Sequence, residues 1–111
     1  MIITDHKKVF ENIDPSLLAK FREFHAANPH IYKEFRENAL ILKRSGRSKS
    51  SAWLIINKMR WDFEISTNSN NEFKISNDFI ALYSRLLIFR DASFLGFFTL
   101  KPMKGQITEE N

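Results

Sequence analysis

Cysteine is absent from this 111-residue chain, which excludes a disulfide framework, a thiolate nucleophile and a cysteine-ligated zinc. Glycine and proline are scarce, three of each, and the sequence has no glycine-rich phosphate loop, no G-x-S-x-G and no H-E-x-x-H. Hydrolase and nucleotide-enzyme readings therefore have no anchor. No apolar run approaches the roughly 20 residues that span a bilayer, because charges interrupt every candidate. Met1-Ile2-Ile3-Thr4-Asp5-His6 places an acid where a secretory signal needs apolar residues, so a cytoplasmic setting is expected. What remains is an ordinary folding composition, 43% hydrophobic and 27% charged, which excludes wholesale disorder and low complexity. One domain over residues 1–105 is expected, with 106–111 as a flexible tail.

Charge is distributed unevenly. Residues 28–61 hold eight basic against two acidic side chains, whereas residues 62–79 hold one basic against four acidic. Between Asn38 and Trp61 there is no acid, while Lys43, Arg44, Arg47, Lys49, Lys58 and Arg60 all fall there. Asymmetry of this kind bears on partners and not on fold.

Asp14-Pro15 predicts a helix over 15–27, with an N-cap acid and proline at the first helical position. Leu17, Leu18, Phe21 and Phe24 share its core face, with His25 at the edge. Asn28-Pro29 repeats the signal for a second helix over 29–44, which buries Ile31, Tyr32, Phe35, Ala39 and Leu42 and ends at Gly46. The serines of Arg47-Ser48-Lys49-Ser50 are expected to cap a third helix over 50–64, whose core stripe is Ala52, Ile55, Ile56, Met59 and Phe63. Asn77 or Asp78 is expected to cap a fourth helix that runs to about 90 and is apolar nearly all round, the mark of a central helix.

Glu72-Phe73-Lys74-Ile75 alternates as a short strand does, and residues 94–100 around Gly96 supply a second strand to pair with 73–75. The expected fold class is therefore α+β and mostly helical: four helices with a short two-stranded β element, loosely resembling a winged helix with 50–64 as recognition helix.

Three constellations invite a functional reading. His25 and His30 could pair as metal ligands, but they straddle a proline break with only Glu23 nearby, and two local hydrogen bonds account for them as well. Asp62, Glu64, Glu72 and Asp78 form the acidic stretch. With Lys74 they allow an alternative reading as a metal-dependent nuclease, although a three-residue E-x-K pattern arises often by chance. The third constellation is the basic segment. Arg44, Arg47 and Lys49 flank the start of the third helix, where free backbone N–H groups favour anions. Lys58, Arg60 and Trp61 follow on that helix, and Leu54 lies seven residues before Trp61 on a face that should be wet. This patch suits phosphate contact and stacking or a protein interface, where tryptophan and arginine concentrate. The competing reading is a solvated positive face with Trp61 buried against Phe97 or Phe98.

Asn28-Pro29-His30-Ile31-Tyr32 with Phe35, Ser45-Gly46-Arg47, Ser51, Ile55, Met59-Arg60-Trp61-Asp62, Phe73-Lys74-Ile75-Ser76-Asn77 and Tyr83-Ser84-Arg85 together resemble a group of small phage and prophage proteins. Those read NPHVY, GR, IRWE, FKINN and YAR in the same order. The resemblance covers about residues 28–98, with Asp62, Ser76 and Ser84 departing from the pattern. It implies a viral origin and a non-enzymatic binder: a DNA-associated regulator, or an inhibitor of host restriction or CRISPR machinery. The expected partner is nucleic acid or a host nucleoprotein complex. No catalytic residue, metal or cofactor is expected, and the expected binding set is Arg44, Arg47, Lys49, Leu54, Lys58, Arg60 and Trp61.

Overall fold

In the computed structural model, which describes residues 3–67 and 74–103, the first long helix, α1 (Pro15–Ala27), opens at the expected cap. The Asp14 carboxylate accepts from the Ser16 N–H at 2.9 Å and from the Ser16 hydroxyl at 2.9 Å. At Asn28 the sequence signal works differently from expectation. Its side chain caps nothing in the second helix, α2 (Pro29–Arg44), and instead donates back to the Phe24 carbonyl at 3.0 Å. Asn28 thus ends α1 while Pro29 starts α2, and the two helices meet at a corner. A left-handed glycine, Gly46 at φ 98°, follows the end of α2 as the Lys43-Arg44-Ser45-Gly46 run predicts.

The third helix, α3 (Ala52–Thr67), begins two residues later than expected and continues three residues further. Its start is fixed by the Ser51 hydroxyl, which accepts from the Leu54 N–H at 3.1 Å. Ser50 does something else: its N–H donates to the Phe97 carbonyl at 2.9 Å. The fourth helix, α4 (Asn77–Arg90), is capped not by Asn77 or Asp78, which already lie inside it, but by the Ser76 hydroxyl, which accepts from the Phe79 N–H at 3.2 Å. Residues 82–88 of α4 are buried without interruption, so it is the central helix that its all-round apolar pattern predicts.

The α+β expectation is overturned. Among the described residues there is no strand and no sheet, only an isolated parallel bridge between Ser50 and Phe98, and so no wing of a winged helix. Of the first expected strand, Glu72 and Phe73 lie outside the described residues. Lys74 to Ser76 form no ladder: Ile75 is 7% exposed, so the short alternation records one apolar anchor entering the core. In the second, Ala92–Phe94 forms a 3₁₀ turn and Gly96 sits at φ 85°. Phe97 and Phe98 are both buried, which successive residues of a half-buried strand, pointing to opposite faces, cannot be. The tail expected over 106–111 lies outside the described residues.

Aromatic rings join the layers across α4. Phe21 of α1 meets Tyr83 edge-on at 4.9 Å and Phe79 at 5.5 Å, while Phe35 of α2 lies between Tyr83 at 6.0 Å and Phe98 at 5.9 Å. Burial pushes the Tyr83 phenol up to about 12, and its hydroxyl has no hydrogen-bond partner. Arg85 is also buried, and desolvation pushes its guanidinium down to about 10. It donates to the Lys101 carbonyl at 2.7 Å and the Ala81 carbonyl at 3.4 Å, tying the chain after Phe98 back onto α4.

Candidate functional site: the outer face of α3

α3 buries Ile55, Ile56 and Met59 against the core. At about 100° per residue, Trp53, Leu54, Trp61 and Ile65 fall together on the opposite side, with Asn57 and Lys58 between them. All four are open to solvent: Trp53 is 60% exposed, Leu54 44%, Trp61 67% and Ile65 64%. Scattered exposed apolar residues are normal, but two tryptophans and two aliphatics sharing one helix face make a contiguous patch of the kind that marks interaction sites.

Of the residues expected to bind a partner, Leu54 and Trp61 lie on this face, and the reading that buries Trp61 against Phe97 or Phe98 is excluded by its exposure. Arg44, Arg47 and Lys49 are exposed, at the end of α2 and along the loop into α3, and none has a hydrogen bond or ion pair with another described residue. Lys58 is neutralised locally: its ammonium pairs with the Asp62 carboxylate one turn on at 2.6 Å, with both side chains about half exposed. Exposed pairs of this type contribute little to stability.

Arg60 does not belong with the others. It is half-buried, and its guanidinium donates to the Asn57 side-chain oxygen at 3.2 Å and to the Ile75 carbonyl at 3.2 Å. The arginine thus fastens α3 to the segment that leads into α4. Arg60→Ala is expected to cost about 1.5 kcal/mol of stability, the lower range for hydrogen bonds to a charged donor, in urea denaturation followed by circular dichroism. Unchanged stability would return Arg60 to the exposed set.

Two members of the patch are not evident from the expected helix. Ile65 lies beyond the expected end at 64, and Trp53, eight residues before Trp61 on the same side, is not among the residues expected to bind. Extending α3 by one turn is what completes the face.

The other constellations do not assemble. His25 stacks on Phe21 at 6.2 Å and meets Tyr32 edge-on at 5.6 Å, whereas His30 is an exposed residue in the first turn of α2. No group of three or more histidines, aspartates and glutamates suited to a metal occurs among the described residues. Of the acids in the nuclease reading, Asp62 is taken by Lys58, Glu64 is exposed on α3 and Asp78 sits in the first turn of α4. Glu72 lies outside the described residues, and Lys74 is exposed. No helix among the described residues is long and apolar enough to cross a membrane. Compared with known proteins, the chain matches no family model, no curated protein and no solved structure.

Proposed function

We propose that this chain is a non-enzymatic binding module that docks through the outer face of α3 onto a protein with an acidic rim around an apolar groove. The carrying observation is the exposure of Trp53, Leu54, Trp61 and Ile65 on one face of one helix. Tryptophans supply large contact area in the centre of such an interface. Arg44, Arg47 and Lys49 at its edge select an acidic partner and speed encounter.

A protein partner fits this surface better than nucleic acid does. Leu54 and Ile65 offer nothing to a base or a phosphate, Lys58 is neutralised by Asp62, and Arg60 is committed to the Ile75 carbonyl. The resemblance to small phage proteins supports a partner among a host's nucleic-acid-handling machines, restriction or CRISPR complexes included, with this chain as regulator or inhibitor.

Fluorescence anisotropy with labelled single-stranded DNA, duplex DNA and RNA across a salt series tests the choice of partner. The expected result is weak, sequence-independent binding that disappears by physiological salt. Tight binding with a steep salt slope, reduced by about one unit in Arg47→Glu, would overturn the protein-partner reading in favour of a nucleic-acid module.

A further inference from the structure

The contact between α1 and the first half of α4, made by Phe21 on Phe79 and Tyr83, does not continue along the second half. There the two helices leave a cleft of about 410 Å³ on a different face from the α3 patch. From α1 it receives Leu18, Phe21, Arg22 and His25, a stripe spaced by three, four and seven residues that faces one way on a helix. From α4 it receives Leu86, Phe89 and Arg90, and Phe10 packs on Phe89 at 5.8 Å to close one end. Phe89 is 44% exposed, an apolar ring left open directly after the unbroken buried run of α4.

The charged groups of this cleft are both cations, and the remaining polar group is an imidazole. Arg22 is exposed on one wall without a hydrogen bond or ion pair to another described residue. Arg90, on the other wall, lies over the Tyr32 ring with its guanidinium carbon 4.7 Å from the centroid, which fixes its position at the rim. Between them, the His25 Nδ1 is buried without a hydrogen-bond partner. Burial, followed by the Arg90 charge, holds the imidazole below its ordinary pKa and therefore neutral at pH 7. No carboxylate lines the cleft among the described residues. An unpartnered buried ring nitrogen is costly unless something completes it, and the volume lies within the range of small-molecule sites.

We propose that this cleft binds a small amphipathic carboxylate, its alkyl or aryl body against Leu18, Leu86, Phe10 and Phe89 and its charge between Arg22 and Arg90. A bare inorganic anion leaves the apolar walls unused, and a neutral hydrophobe leaves the positive charges of Arg22 and Arg90 at the rim without a counterion. Turning of the His25 ring on binding brings its Nδ1, closed to solvent in the free protein, into a third polar contact with the head group.

Decanoate is the probe, titrated below its micelle concentration into the full-length protein by calorimetry and by amide NMR, with decanol and acetate as controls. The expected result is saturable one-to-one decanoate binding that shifts amides of residues 18–25 and 86–90, with decanol at least tenfold weaker and acetate undetectable. Both tryptophans of the chain stand on α3, so their fluorescence should stay unchanged and report separately on that face. Arg22→Gln, on an exposed side chain, should weaken decanoate about tenfold at constant melting temperature, the scale of one charge-assisted hydrogen bond, and His25→Phe should weaken it several-fold. Absence of saturable binding would overturn the proposal. So would equal affinity for decanol, an Arg22→Gln affinity equal to wild type, or a ligand-induced change in tryptophan emission.

Discussion

Phe94→Ala is expected to remove about 3–5 kcal/mol of stability, the range for truncating a fully buried phenylalanine. The native margin of a domain this size is only about 5–15 kcal/mol, so the variant should sit close to unfolding at 37 °C. Phe94 is completely buried, edge-on to Phe97 at 5.5 Å and stacked with Phe98 at 6.2 Å. The Lys43 ammonium lies 4.5 Å above its ring and donates to the neighbouring Ser93 carbonyl at 2.8 Å. One side chain therefore holds the turn after α4 against the end of α2 and orients the two phenylalanines that follow. Removing it leaves a void, strips the cation of its ring and loosens the whole segment from Ala92 to Phe98. Urea denaturation monitored at 222 nm measures the loss, and a value under about 1 kcal/mol would mean that this segment is an appendage and not part of the core.

Trp61→Ala has the opposite signature. The residue is 67% exposed, so truncation opens no cavity, and the melting temperature should move no more than a typical surface change allows, about 0.5 kcal/mol. Affinity for the protein partner should fall by about 2 kcal/mol or more, roughly thirtyfold, with little dependence on salt. Trp53→Ala should act in the same direction, and the pair should be less than additive because both fill one interface. Surface plasmon resonance with the partner immobilised gives the affinities, and calorimetry of the variants alone gives the melting temperatures. Wild-type affinity in both tryptophan variants would move the interface off α3. A large drop in melting temperature would make the tryptophans structural.

How these features relate to the sequence depends on the distance over which each is encoded. The helices are legible because their signals are local, Asp14 before Pro15 and Gly46 after Lys43-Arg44 among them, whereas the caps of α3 and α4 fall on Ser51 and Ser76, one residue away from expected caps at Ser50 and Asn77, because neighbouring polar residues offer equivalent acceptors. The central position of α4 follows from its lack of a polar face. The expected two-stranded element does not form among the described residues: four alternating residues look the same in sequence whether they pair with a neighbour or drop a single anchor, Ile75, into a core. Adjacent burial of Phe97 and Phe98 was the available counter-signal. Arg60 lies at the border between the two faces of α3, and only its hydrogen bond to the Ile75 carbonyl, fifteen residues away, decides which side it serves. The exposed face was half-visible, since Leu54 and Trp61 stand one heptad apart, but ending the helix at 64 hid Ile65. The cleft between α1 and α4 had no local signature, because its walls come from residues 10, 18–25 and 86–90 and exist only after the chain has closed on itself.

The closing segment imposes an order on synthesis. A nascent chain emerges amino end first and domains generally fold as units, yet α1, α2 and α3 cannot complete their shared core from their own residues. Phe94, Phe97 and Phe98 fill it, Phe97 receives the Ser50 N–H, and Lys101 engages Arg85. Until residue 101 or so has left the ribosome, the apolar faces of three helices stand open. During that interval the polypeptide exposes aggregation-prone apolar surface, and a stop codon a few residues after α4 is expected to yield a product cleared by proteolysis instead of a shortened but working protein.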